Sequence, residues 1–149
     1  MEKAIVVYGS TTGNTEQMAS WITEVLAGLG YVVAMKNVTD VSPSELADYD
    51  LILLGSSTWG EGELQEDFEP FYEQMDDIGL KGKKAAVFGP GDSSYELFCK
   101  AVDMLEEKLS ELEAEVVVEG LKVDGDVGLV KDEIRDWAKE VGEEAGGKQ

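Results

Sequence analysis

The run Ala4-Ile5-Val6-Val7-Tyr8 carries no charge on either side of its alternation and stops abruptly at Gly9-Ser10-Thr11-Thr12-Gly13-Asn14-Thr15. A strand that is apolar on both faces has to be covered on both faces, which is the condition of a strand inside a parallel sheet. The loop that ends it supplies four hydroxyls, one carboxamide and two glycines, and no positive charge. Where such a loop feeds a helix, several unpaired backbone N–H groups point at one place. That is a cradle for a phosphate. It contains neither the Gly-x-x-x-x-Gly-Lys of a triphosphate loop nor the Gly-x-Gly-x-x-Gly of a dinucleotide fold. A phosphate held there by hydrogen bonds alone suits the end of a mononucleotide.

Four more runs repeat the pattern of the first strand, Lys3–Tyr8: Tyr31–Lys36, Leu51–Leu54, Lys84–Phe88 and Glu115–Val118. Helical stripes separate most of them. Met18, Ile22, Val25, Leu26 and Leu29 recur with a 3.6-residue period, and Gly28 and Gly30 mark the exit. Ser42-Pro43-Ser44-Glu45 reads as a capping box with proline at the first helical position, so a short helix is expected from there. Phe68, Phe71, Tyr72 and Met75 form a third stripe with Pro70 near its start. Val102, Leu105, Leu109 and Leu112 form a fourth, and Val130, Ile134, Trp137 and Val141 a fifth. Strand and helix alternating over 149 residues imply an α/β fold with a doubly wound parallel sheet in a single domain, 1–149. Its core is expected over about 3–141, with a frayed polar tail at 142–149. Trp21 and Trp137 fall on helices and read as packing residues.

In such a sheet, ligands sit beyond the carboxyl ends of the strands, where the strand order reverses. Three loops leave strand carboxyl ends: Gly9–Thr15, Gly55–Glu63 and Gly89–Cys99. The second, Gly55-Ser56-Ser57-Thr58-Trp59-Gly60-Glu61-Gly62-Glu63, and the third, Gly89-Pro90-Gly91-Asp92-Ser93-Ser94-Tyr95-Glu96-Leu97-Phe98-Cys99, each offer a large aromatic in a polar, glycine-rich setting. Two such rings can sandwich a flat ring, at about 0.5–1.5 kcal/mol per pair beyond area burial. A phosphate cradle at one end and an aromatic slot at the other describe a flavin mononucleotide.

These residues carry a family resemblance. Gly-Ser-Thr-Thr-Gly-Asn-Thr at 9–15, Ser-Thr-Trp-Gly at 57–60 and Gly-Asp-Ser-Ser-Tyr at 91–95 resemble the three FMN loops of flavodoxins, and the likeness runs in order from about Lys3 to Val141. It is of the short-chain type, because strand five continues through Gly120 to Val123 without a long inserted loop. The resemblance implies a five-stranded sheet of order 2-1-3-4-5, with FMN at the switch between strands one and three. It assigns the phosphate to Ser10, Thr11, Thr12, Asn14 and Thr15, with Ser57 closing it. Trp59 covers one face of the isoalloxazine and Tyr95 the other. Gly60 offers its carbonyl to the ring nitrogen protonated on one-electron reduction, and backbone groups of Asp92, Leu97 and Cys99 take the pyrimidine edge. Gly13, Thr58, Pro90 and Gly91 complete the cofactor-binding positions. The chain departs from the family pattern in a short Glu61-Gly62-Glu63 segment and in Pro90, which removes a backbone donor below the ring.

Composition narrows the partners and the compartment. A formal net charge of −20 argues against nucleic acid and against an anionic membrane, and leaves a basic protein as partner. Histidine is absent, which removes the commonest general base and zinc ligand, and Cys99 is the only cysteine, which fits a reducing cytoplasm. The start Met1-Glu2-Lys3 leads straight into a strand, with no signal segment expected. The acidic run Glu61, Glu63, Glu66, Asp67, Glu69, Glu73, Asp76 and Asp77 reads either as a solvated face or as a docking face. Each carboxylate about 10 Å from a redox centre opposes an added electron by about 0.5 kcal/mol, or about 20 mV. The reading is a monomeric, low-potential one-electron carrier that meets basic reductases, oxidoreductases or cytochromes by transient electrostatic docking, with no enzyme activity of its own. A flavin quinone or nitro reductase on the same fold, and a module of a larger reductase, are the alternatives. A phospho-receiver domain is disfavoured, because the positions after strands one and three hold Gly9-Ser10 and Gly55-Ser56 in place of acids.

Overall fold

A computed structural model describes residues 3–9, 13–56, 58–59, 63–64, 66–91, 100–124 and 127–146. The strands are β1 (Lys3–Gly9), β2 (Val32–Asn37), β3 (Leu51–Ser56), β4 (Thr58–Trp59), β5 (Glu63–Leu64), β6 (Lys84–Gly91), β7 (Glu115–Val116) and β8 (Leu121–Asp124). The helices are α1 (Asn14–Gly28), α2 (Phe68–Gln74), α3 (Lys100–Glu111) and α4 (Lys131–Gly146). The main sheet runs β2-β1-β3-β6 and ends in β7 and β8, both paired in parallel with β6. That is the order 2-1-3-4-5, with the fifth position divided.

Alternation sends successive side chains of β1 to opposite layers. Ile5 and Val7 join Phe68, Phe71, Leu105 and Leu109, so α2 and α3 cover that face. Ala4, Val6 and Tyr8 join Met18, Ile22, Leu26, Trp137 and Val141, so α1 and α4 cover the other. Every residue from Ala4 to Tyr8 is buried, as the uniform apolar run requires.

The fifth strand differs from the expected continuous run. Val116 pairs with Ala85 and Leu121 with Phe88, so the segment between them is two residues longer than its partner and has to bulge. Trp137 Nε1 donates to the Glu119 carbonyl at 3.0 Å and satisfies the bulged backbone. Gly120 lies so close to α3 that an added Cβ would stand 2.6 Å from Val102 Cγ1 and 2.8 Å from Glu106 Oε2. Burial beside this bulge pushes the Glu106 carboxyl above its usual range, against the pull of the Gly120 N–H that donates to it.

Three boundaries also moved. The segment from Ser42 is a 3-10 helix, Pro43–Asp48, whose capping box is formed: Ser42 N–H donates to Glu45 Oε2 at 3.0 Å. Strand β6 runs on through Gly89-Pro90-Gly91, which the sequence assigns to a loop. Among the described residues the β3–β6 ladder ends at Gly55 and Phe88 and Pro90 pairs with Val123 of β8, a strand-end position of the kind where proline is tolerated. Residues 142–146 are not a frayed tail: α4 continues to Gly146 with Gly142 and Ala145 buried. Gly142 lets Leu29 Cδ1 and Leu26 Cδ2 approach, and its carbonyl accepts from the Tyr31 hydroxyl at 2.8 Å.

Lys108 of α3 is buried, bonds Asp76 through its ammonium and stands 4.5 Å from the centroid of the Tyr72 ring. The hydrogen bond to Asp76 raises its pKa above the ordinary 10.5, with burial opposing. A lysine whose folded pKa is raised stabilises fully below the unfolded value and loses that contribution as pH climbs through the folded one. Denaturant titrations of the native protein should therefore show an extra loss of stability above about pH 10.5. The Lys108→Met variant should lack that component.

Candidate functional site

The carboxyl ends of β1, β3 and β6 are brought side by side. Gly9 is in register with Ser56 across the β1–β3 ladder. Gly89 of β6 lies so close that an added Cβ would overlap the Ser56 carbonyl oxygen, and one on Gly55 would overlap the Phe88 ring. The chain leaves β1 toward β2 on one side and returns to β3 on the other, so the sheet reverses direction at this point. The three sequence-predicted loops start from these adjacent ends.

The first loop reaches α1 through Gly13, whose φ of 95° lies in the left-handed region. A Cβ there would meet nothing within 4 Å, so the constraint is conformational and not steric crowding by neighbours. The first helical turn holds Asn14, Thr15 and Glu16, and Gln17 N–H is bonded to the Gly13 carbonyl at 2.9 Å. The N–H groups of that first turn have no acceptor within the helix, and the helix dipole places partial positive charge there. Thr15 is 1% exposed and its Oγ1 is buried without a hydrogen-bond partner. The other such hydroxyl among the described residues is Thr23, in the middle of α1.

A buried hydroxyl left unbonded costs about 1–3 kcal/mol. At a helix N-terminus beside the adjacent carboxyl ends of β1 and β3, an anion that accepts from it removes that cost. The residues therefore fit a phosphate. They fit it by hydrogen bonding, because Gly13, Asn14, Thr15 and Glu16 bring no cation.

The second loop contains an element the sequence reading missed. Thr58 and Trp59 form β4, which pairs antiparallel with β5: Thr58 opposite Leu64 and Trp59 opposite Glu63. A two-residue ladder has too little periodicity to be read from sequence. Pro90 and Gly91 close β6 at the head of the third loop. Ser10, Thr11, Thr12, Ser57, Gly60, Asp92, Tyr95, Leu97 and Cys99 lie outside the described residues. The sequence reading also passed over a contact under the first loop, where the Tyr8 hydroxyl donates to Glu16 Oε2 at 3.5 Å. No group of three or more His, Cys, Asp or Glu among the described residues is placed to hold a metal ion.

The family model described as Flavodoxin matches residues 6–137. The chain belongs to the flavodoxin family. It is 51% identical over 140 residues to a flavodoxin of Maridesulfovibrio salexigens, covering 92% of this chain and 94% of that one. To a flavodoxin of Nitratidesulfovibrio vulgaris it is 43% identical, covering 95% and 97%. The solved structure of oxidised Flavodoxin 1 from Bacillus cereus superposes with a TM-score of 0.89 at 42% identity, covering 93% of this chain and 96% of that one. The doubly wound fold with strand order 2-1-3-4-5 is thus the family's fold, as the loop motifs implied.

Two substitutions separate the roles of the first loop. Gly13→Ala should destabilise the protein by about 1–2 kcal/mol, because alanine pays for the left-handed conformation where space is open. Thr15→Val removes the orphaned hydroxyl and keeps the shape, so the ligand-free protein should hold its stability or gain up to about 1 kcal/mol. Chemical denaturation of the two variants beside the native protein measures both effects.

Proposed function

We propose that the protein is a low-potential one-electron carrier that binds FMN noncovalently and moves electrons between redox proteins, with no enzyme activity of its own. The observation that carries this reading is the buried, unpartnered Thr15 hydroxyl at the N-terminus of α1, beside the converged ends of β1, β3 and β6. Family membership gives the cradle its ligand. FMN, when bound, supplies the electron chemistry, and the protein supplies binding, orientation and electrostatics.

In this reading Thr15, with Ser10, Thr11, Thr12 and Asn14, donates to the phosphate, and Ser57 closes it. Trp59 and Tyr95 cover the two faces of the ring and exclude water. The Gly60 carbonyl would accept a hydrogen bond from a ring N–H, and the backbone of Asp92, Leu97 and Cys99 would meet the pyrimidine edge, with Gly13, Thr58, Pro90 and Gly91 shaping the walls. Both ring faces being covered leaves little room for a substrate, which favours a carrier over a reductase.

Partners are basic redox proteins. Glu66, Asp67, Glu69 and Glu73 are exposed around α2, the helix that follows the second loop. Such a face steers a cationic partner to the ring edge and lets it leave, because the contact is small and screened by salt. No helix among the described residues is long and apolar enough to cross a membrane. We place the carrier in the cytoplasm, as a monomer of one domain.

Titration of the ligand-free protein should give one FMN per chain, with riboflavin bound at least about tenfold more weakly, since each hydrogen bond to a charged phosphate contributes about 1.5–3 kcal/mol. Equal affinity for the two would overturn the phosphate assignment. Stopped-flow reduction of a basic cytochrome should slow steeply as ionic strength rises. Neutralising Glu66, Asp67 and Glu69 should slow it more than neutralising Glu140, Glu143 and Glu144 at the far end of α4.

A further inference from the structure

Two helices of this chain that start from a non-helical cap residue place a glutamate at their third residue, and the two behave differently. In the 3-10 helix Pro43–Asp48, Glu45 reaches back and accepts the N–H of the cap residue Ser42 at 3.0 Å. This is what an unrestrained glutamate at that position does. In α1 the cap residue is Gly13 and the third helical residue is Glu16. Glu16 Oε2 instead takes the hydroxyl of Tyr8, from the neighbouring strand β1, at 3.5 Å.

Tyr8 is well fixed for this task. Its ring is 8% exposed and packs in the layer that holds Met18 and Ile22 of α1. At the end of β2, in register with Tyr8, Asn37 Oδ1 accepts from Thr39 N–H and Thr39 Oγ1, both at 2.9 Å. Burial, and then the charge of Glu16, push the Tyr8 phenol above its usual value, so it remains a donor at neutral pH.

A carboxylate folded back over the first turn of α1 would compete with a bound phosphate twice, by taking backbone N–H groups and by repelling its charge. We propose that Tyr8 is a positioning residue for the phosphate cradle: by holding Glu16 to one side, its hydroxyl keeps the N-terminal turn of α1 open to the cofactor phosphate. The inference rests on the FMN reading above and assigns Tyr8 no contact with the cofactor.

The test is a double-mutant cycle read by FMN and riboflavin affinity of the native protein and the Tyr8→Phe, Glu16→Gln and Tyr8→Phe/Glu16→Gln variants. Tyr8→Phe should raise the FMN dissociation constant about fivefold or more and leave riboflavin within about twofold, since riboflavin has no phosphate to compete. Adding Glu16→Gln should restore most of the FMN affinity, because an uncharged side chain is a far poorer competitor. Circular dichroism melts of each ligand-free variant establish that it is folded. Equal weakening of both flavins in Tyr8→Phe, or an FMN loss that Glu16→Gln does not rescue, would make Tyr8 a packing residue and overturn the proposal. If Tyr8→Phe does not fold, Glu16→Lys in the native background reads the same point: FMN affinity should be kept or rise relative to riboflavin, and a selective fall would overturn it. Failure of the native protein to prefer FMN would instead overturn the functional reading itself.

Discussion

Strand β1 is bonded on both edges and buried on both faces, and the rest of the molecule is arranged around that condition. Its ladders run to β2 on one side and β3 on the other, and every residue from Ala4 to Tyr8 is buried. A strand so enclosed can carry no exposed polar chemistry along its length, so chemistry starts where the sheet stops. Helix α1 packs back over β1 and fills one layer with Met18, Ile22 and Leu26. That packing sets its first turn over the strand's carboxyl end. The helix dipole, the unpaired N–H groups and the Thr15 hydroxyl then fall at one point without any separate provision for a ligand.

The site handles anions without a cation in a chain whose formal net charge is −20. In the proposed reading, hydrogen bonds from fixed donors at the start of α1 would do the holding. Several lysines sit elsewhere. Lys81, Lys83 and Lys84 line a recess with Asp50 and Ala145, at the amino ends of β3 and β6. The cation Lys108 is used internally, tying α3 to Asp76 and Tyr72. Glu66, Asp67, Glu69 and Glu73 around α2 are exposed, and Asp76 is drawn into a structural bond with Lys108.

The four main strands were legible because burial on both faces leaves a nearly pure apolar run, and the helices because each buries a single stripe. What was not legible depends on partners distant in sequence. The break between β7 and β8 arises from register against β6, and is made tolerable by Trp137 bonding the Glu119 carbonyl. Pro90 sits in a strand because β8 extends the sheet beside it, pairing it with Val123. The glycines near the C-terminus look like fraying signals, yet Gly142 is a close-packing position under Leu29 and Leu26. The β4–β5 ladder is too short to leave a pattern.

The sequence by itself determined the class of fold and the family, because these follow from local patterns: apolar runs, helical stripes and the motifs of the loops between strand and helix. Only the tertiary structure decided how the loop's parts are used. It placed Gly9, Ser56 and Gly89 side by side, left the Thr15 hydroxyl buried and unbonded, and turned Glu16 toward Tyr8. Glu45 and Glu16, each three residues past a non-helical cap residue, look equivalent in the sequence. They differ because α1 packs on β1, where a buried tyrosine offers a hydroxyl, and such an offer exists only once strand and helix have been brought together.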